Sequence, residues 1–486
     1  MSLEKPNWAI EALVGSYKNG MVHLVMQTGA MSFFSSLLSS RWLWRWQAGL
    51  SLFILLAVVI LWGIGLRRSL FLAVLVPIGF FPFSYARVRL VSFVEQFCRT
   101  HPRTHTLFLP FVVIGMLCDV VMVAQLFTAR VGSPIPILHN PAISWVGAIW
   151  YSAHGLSFLG YALLGLGRLS QRLLKRIWQR QLETAPDTTV SVERRQFLQQ
   201  VGVLGAGMPF FISLSNVKLT YDFRVEEREI AVPHWPRELE GLRVAHLSDI
   251  HVGGAMNRER LLHMAVLTNA ARPDVVIHTG DFLTHRSGDF DTPLYEALAR
   301  IHAPYGQWAC LGNHDFDAPE RLVRLLHEAG VITLRNAVTT LHIQRHPLEL
   351  AGIDYVFARN GRDERYAHII HSWGARESVP RLLLNHDPQA FALLPERCAE
   401  LVLSGHTHGG HVGVQLGRDH AITVVGLCGI PDQGLFYREE MLMFITRCVG
   451  FYGYPMRLGI PPEISLLTLR APHPQDPTRH ESISHV

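Results

Sequence analysis

The apolar positions of this chain change their rhythm along its length. In the first third they crowd into four long runs, 47–66, 69–85, 106–128 and 143–167. A helix needs about 20 mostly apolar residues to cross a bilayer, so three of these runs predict spanning helices. The second, SLFLAVLVPIGFFPFSY, is shorter and holds Pro77 and Pro82, which predicts a kinked span or a re-entrant segment. Residues 181–193 (QLETAPDTTVSVE) read as a polar linker. From about 217, short apolar stretches (VAHLS, DVVIHTG, WACLG, LELAGI, RLLLN, ELVLSG) alternate with amphipathic ones such as 257–271 and 318–329. That alternation predicts a soluble α/β domain. An acidic residue or a histidine sits where each predicted strand ends, which delivers the polar groups to one edge of a sheet.

Charge divides the chain in the same place. Of 44 Lys and Arg and 39 Asp and Glu, 18 basic but only 7 acidic residues precede position 217, a net +11 there and −6 beyond. A nucleic-acid enzyme would place its basic excess on the catalytic half, so nucleic acid is not an expected partner. Here the basic residues flank apolar runs, where lipid headgroups are the natural counter-charge. Placing both ends of a four-helix unit in the cytoplasm puts 15 basic residues inside against 3 outside, which sets the orientation. Trp42, Trp44 and Trp46 precede the first run as an interfacial belt. With 49% hydrophobic and 17% charged residues the chain is not intrinsically disordered, and six cysteines without a CxxC give no disulfide framework.

The segment RRQFLQQVGVLGAGMPFFISLSN resembles a twin-arginine export signal at Arg194 and Arg195. If 198–215 cross as a fifth span, everything after them lies outside the cytoplasm of a bacterial inner membrane. The alternative is a basic flank followed by a helix packed on the membrane domain. The expected organisation is a membrane domain at 1–180, a linker with this signal at 181–216, a catalytic domain at 217–475 and a polar tail at 476–486.

Five short segments carry candidate chemistry: SDIHVG, TGDF, LGNHDF, LLNHDP and SGHTHGGH. They supply Asp249, His251, Asp281, Asn313, His314, His386, His406 and His408. Hard carboxylate and amide oxygens mixed with imidazole nitrogens suit Mn, Fe or Zn, and the absence of thiolates argues against a structural zinc site. The DxH and HxH spacings bring both side chains to one point only where the chain turns sharply, a freedom expected from Gly405, Gly409 and Gly410. A single histidine among 26 says little; five such segments in order, each after an apolar strand, say much more.

The order DxH, GD, GNHD, NH and GHTH resembles the calcineurin-like metallophosphoesterase superfamily. The GHTHGG form and the tail YGYPMRLGIPPEISLLTL resemble its membrane-associated branch. The resemblance covers about 217–470 and implies a four-layer αββα sandwich, here preceded by an all-α transmembrane region. It implies two divalent ions as cofactors: Asp249, His251, Asp281 and His408 for the first, with Asp281 bridging to a second completed by Asn313, His386 and His406. His314 would sit beside the leaving group and Asp315 would orient it. Where the family commonly has Gln after GHTHGG, this chain has His411, either a substrate contact or a loop histidine. The implied reaction is hydrolysis of a phosphodiester or pyrophosphate bond by metal-activated hydroxide, with no side-chain nucleophile.

A membrane tether points to a lipid-linked phosphate as the substrate class, with membrane lipids as partners and the catalytic domain extracytoplasmic. A second reading keeps that domain cytoplasmic, as a pyrophosphatase of a nucleotide-linked lipid precursor. A third, from another class, is a catalytically silent scaffold or receptor, which an intact ligand set disfavours. Asp119 and His154 fall inside apolar runs and are expected to hydrogen-bond within a helix bundle. Cys310 reads as a small buried apolar residue, and 357–371 (FARNGRDERYAHIIH) as an irregular polar loop near the site.

Overall fold

The computed structural model describes residues 141–178, 192–253, 256–284, 291–358, 360–374, 379–418, 420–452, 456–472 and 484–485, with scattered positions between 86 and 118. The chain divides into two compact units, Met1–Cys118 with Trp150–Pro209, and Asp119–Ile149 with Phe210–Val486. Helices α1 (Pro141–Trp178) and α2 (Val192–Tyr221) contribute residues to both.

Among the described residues, no helix is long and apolar enough to cross a membrane. The fourth apolar run lies within α1, where Ser152, His154, Gly155, Ser157 and Gly160 dilute the leucines. The expected fifth span lies within α2, diluted by Gly205, Gly207, Ser213, Ser215 and Asn216. Runs 47–66 and 69–85, most of 106–128, Asp119 and the three belt tryptophans lie outside the described residues. His154 is buried, and its Nδ1 meets the Trp150 carbonyl one turn back at 2.7 Å. The polar linker ends where α2 begins, and α2 runs past the expected boundary at 216.

Two large sheets lie within the second unit. The first contains β1 (Arg224–Ala231), β2 (Arg243–Leu247), β3 (Val275–His278), β4 (Gln307–Ala309), β5 (Val331–Thr333) and β14 (Glu463–Arg470), in the order β1-β14-β2-β3-β4-β5. The second contains β6 (Ala337–Ile343), β7 (His346–Ile353), β8 (Arg381–Asn385), β9 (Leu401–Ser404), β12 (Gly434–Arg438), β13 (Met441–Ile445) and β15 (Ser484–His485), in the order β15-β12-β13-β9-β8-β7-β6. A separate hairpin pairs β10 (Gly413–Gln415) with β11 (Ala421–Thr423). In each large sheet a central group is parallel, β2-β3-β4-β5 and β7-β8-β9-β13. Parallel strands are buried on both faces, which explains their near-continuous apolar sequences.

Alternation along those strands builds three apolar layers. Val244, Ile277, Cys310, Leu382, Leu384, Leu401 and Leu403 meet between the sheets. Ala245, Leu247 and Val276 point the other way, onto helices α3 (Arg258–Ala270), α4 (Asp291–Leu298) and α5 (Pro319–Glu328). Leu383, Val402 and Met443 face outward from the second sheet, onto α6 (Arg362–Ser372). The result is the expected αββα stack, and each fully buried Leu, Val or Ile contributes about 1.5–3 kcal/mol to it. Cys310 sits in the inter-sheet layer, as its sequence context predicts.

The expectation for 357–371 needs correction. Residues 362–372 form helix α6, because Tyr366 and Ile370 fall one turn apart and both enter the core. Its polar residues cover the outward face and disguise that period in the sequence.

Candidate metal centre

The parallel strands end on one side of the sandwich, and each hands a polar side chain to the same place. Asp249 and His251 follow β2, Asp281 follows β3, and Asn313, His314 and Asp315 follow β4. From the second sheet, His386 follows β8, and His406 and His408 follow β9. All the predicted ligand positions thus come from carboxyl ends of strands.

Reaching that place bends the backbone against its preference. Asp249, His251, Asp281, His406 and His408 all adopt positive φ, between 47° and 70°. For residues with a Cβ this costs on the order of 1 kcal/mol or more each and persists only where the surroundings enforce it. Gly409 and Gly410 are left-handed as expected, but the histidines beside them carry the same strain. Gly405 serves close approach instead: a Cβ there would lie 2.0 Å from Ser248 Oγ and 2.3 Å from Asp249 Oδ2.

Backbone hydrogen bonds supply the enforcement. Asp249 N donates to Gly280 O at 2.9 Å, His251 N to Asp281 O at 3.0 Å, and Gly405 N to His386 O at 3.1 Å. Asp315 completes the frame in a way the sequence does not suggest. Its carboxylate accepts from the backbone N–H groups of Asp281, Phe282, Leu283 and Gly312, at 2.8–3.3 Å. The expected role of orienting the His314 ring therefore gives way to holding two loops together, because these buried N–H groups need an acceptor. Burial, then the Asp281 charge, raise the Asp315 carboxyl to about 7, against the pull of the Gly312 and Leu283 N–H groups.

The side chains gather into overlapping groups. Asp281 Oδ2 lies 3.5 Å from His251 Nε2 and 3.3 Å from His386 Nε2, and His386 Nε2 is 3.1 Å from His406 Nδ1. Asp249 Oδ1 lies 3.8 Å from His251 Nε2 and 3.5 Å from His408 Nε2. Among the described residues, Asp249, His251 and Asp281 form one group of potential ligands and Asp281, His386 and His406 another, with Asp281 common to both; Asp249, His408 and Cys448 form a third. The other ring nitrogens help fix the tautomers: His386 Nδ1 meets the Thr279 carbonyl at 2.6 Å, leaving Nε2 for the site.

Several buried atoms are left without a hydrogen-bond partner: Asp249 Oδ1, both ring nitrogens of His251, and Asn313 Oδ1. Orphaned buried polar atoms are rare and costly, and four of them on predicted ligands fit a cation-binding cavity. Electrostatics agree. Burial opposes charge on His386, but Asp281 and Asp249 outweigh it and raise its pKa to about 10. Burial likewise opposes the charge on Asp281, yet His386 and His251 hold it below the usual carboxylate range. Burial lowers His406 and His408, which favours the neutral, ligand-competent imidazole.

His314 sits beside these groups without joining them. Its backbone N–H donates to Asp281 Oδ1 at 2.9 Å, and its ring packs 4.3 Å from Tyr452 and 5.0 Å from His251. His411 lies farther out: its ring centroid is 5.9 Å from that of His408, and its Nε2 meets Met456 O at 2.9 Å. That contact gives it a place in the loop fabric. Arg362 pairs with Asp387, the neighbour of His386, so it holds the protein rather than standing open to an anion.

Three residues given no role by the sequence also border the site, two of them, Tyr452 and Arg457, within the tail YGYPMRLGIPPEISLLTL. Tyr452 stacks over His251 at 5.4 Å. Arg457, fully buried, donates to the carbonyls of His408, Cys448 and Gly450. Cys448 places its Sγ 3.1 Å from Asp249 Oδ2, and burial and that carboxylate raise its thiol well above the usual range. All three follow the apolar strand MLMFI of β13, whose carboxyl end joins the same edge; that position was the available signal.

Residues 242–410 match the calcineurin-like phosphoesterase family. A zebrafish (Danio rerio) transmembrane protein with metallophosphoesterase domain is 31% identical over 258 residues, covering 51% of this chain and 57% of that protein. The uncharacterized metallophosphoesterase YkoQ of Bacillus subtilis is 29% identical over 237 residues, covering 46% of this chain and 82% of the other. UDP-2,3-diacylglucosamine pyrophosphatase LpxG of Chlamydia muridarum is 22% identical over 284 residues, covering 47% of this chain and 84% of the other. The match thus spans little more than half of the zebrafish relative and about half of this chain.

Proposed function

We propose, from the match of residues 242–410 to the calcineurin-like phosphoesterase family, that the chain is a dinuclear-metal phosphoesterase that hydrolyses a phosphodiester or pyrophosphate bond. The observation that carries this reading is Asp281, whose Oδ2 stands between two ligand groups, beside acceptors and imidazoles with no partner of their own. Asp249, His251, Asp281 and His408 would hold one divalent ion, and Asp281, Asn313, His386 and His406 the other. Bound there, such ions bring water to ionise near neutral pH and neutralise phosphate charge.

The chain's own residues supply the rest. The frame around Asp315 holds Asp281 and the Asn313 loop in register, so the ligand atoms are organised before substrate arrives. His314, at the border of both groups, holds a proton at its ring for the departing oxygen. Tyr452 fixes that ring by edge contact. Arg457 pins the carbonyls behind His408.

The favoured substrate class is a lipid-linked phosphate, met by an enzyme tethered to a multi-pass membrane domain and facing away from the cytoplasm. Exposed Leu159, Leu163, Leu166 and Leu173 along α1 support a lipid neighbourhood, as do the long apolar runs of the first third and the name of the zebrafish relative. The alternative, a cytoplasm-facing pyrophosphatase of a nucleotide-linked lipid, draws support from the similarity to LpxG. Reporter fusions after residue 240 separate the two topologies. A metal-reconstituted panel of soluble diesters, monoesters and lipid pyrophosphates in micelles tests the substrate class. The expected result is preference for the micellar substrates; activity on soluble esters alone would refute it.

A further inference from the structure

Asp249 is saturated on one side and bare on the other. Its Oδ2 accepts from Ser248 Oγ at 2.6 Å, from His406 N at 2.9 Å and from Cys448 Sγ at 3.1 Å. Its Oδ1 has no hydrogen-bond partner and lies 3.5 Å from His408 Nε2. The Ser248 donor is itself directed: Thr279 Oγ1 donates to Ser248 Oγ at 2.8 Å, and His246 Nε2 meets Thr279 Oγ1 at 2.9 Å. The hydroxyl protons therefore run toward Asp249, and Cys448 closes the ring of donors from the opposite sheet.

The geometry points to Cys448 as a positioning residue for Asp249: its S–H, given to Oδ2, helps turn Oδ1 toward the ion site. This rests on the metal reading above and goes beyond it, since no motif marks the residue. Sγ lies 3.1 Å from Oδ2, within reach of an S–H donor, and its other acceptor, Thr446 O, is farther away at 3.4 Å. The backbone gives a second reason. Cys448 is fully buried and sits at φ 64°, where glycine would be relaxed, so a side chain stands there against conformational preference. The atoms that hold a ligand's far oxygen set the direction of its near one, and losing them commonly costs about 10- to 100-fold in metal affinity.

The test uses the metal-free full chain titrated with Co²⁺, read by calorimetry and visible absorption, for the parent, Cys448→Gly, Cys448→Ala and Cys448→Ser. Glycine relieves the backbone while removing the donor; serine keeps a donor. Cobalt binding at one of two sites should weaken about tenfold in the glycine and alanine variants. The serine variant should recover most of that loss, and the thermal midpoint of the glycine variant should stay near the parent's. Equal affinity in all four proteins overturns the role, and so does failure of serine to restore binding. A sulfur-to-cobalt charge-transfer band in the parent, absent from the variants, overturns it too, because the thiol would then be a ligand. A parent that binds no cobalt overturns the metal reading and this inference together.

Discussion

The lone imidazole that borders both ligand groups without belonging to either is His314, and its chemistry should be separable from theirs. His314→Ala is expected to retain bound metal while kcat falls about a hundred- to ten-thousandfold. The loss should be largest for esters with poor leaving groups, so a leaving-group series on both proteins checks it. Asp315 makes a different prediction, because its oxygens receive four backbone N–H groups. In Asp315→Asn an amide N–H₂ must face donors it cannot accept from. The fold should lose about 2 kcal/mol, read as a lower urea midpoint. The candidate side chains were visible in the sequence because each motif follows an apolar strand, whereas their division between two ions came only from the family resemblance. The work of Asp315 was not, because a carboxylate beside a catalytic histidine looks the same whether it bonds the ring or the backbone. Cys448 lay outside every motif, and Tyr452 and Arg457, though inside the quoted tail, had no role there because their residue types carry no metal pattern.

Elements were easiest to read where burial is two-sided. The six stretches singled out as strands fall on β2, β3, β4, β7, β8 and β9, and the two amphipathic stretches on α3 and α5. Helix α6 was hidden by its charged outward face. The β10–β11 hairpin reverses the usual rule, with Val414 and Ile422 paired across the strands and both exposed. Strands β2 and β3 also bury His246 and His278, and burial depresses these imidazoles to about 3 and about 4. In the unfolded chain both titrate near 6.5, so below that pH the unfolded state binds more protons. Their contribution is complete above about pH 6.5 and is lost as pH falls toward the folded values, at about 1.4 kcal/mol per pH unit for each group. Urea unfolding of the metal-free protein between pH 7 and pH 5 should show that decline, and His278→Gln should make it shallower.

At the scale of the molecule the sequence separates a basic, apolar first part from an acidic α/β half, and the structure places the candidate chemistry within the second. The membrane domain stays a proposal that rests on composition and on relatives named for their spans. The catalytic half makes the sharper claim, that two ions are held around one shared carboxylate. Metal content per chain, measured by mass spectrometry after reconstitution with Mn²⁺, tests it most directly. The account predicts two equivalents in the parent and less than one in Asp281→Asn, because the shared ligand serves both sites. Saturation of the parent at a single ion, or two ions retained in Asp281→Asn, would contradict it.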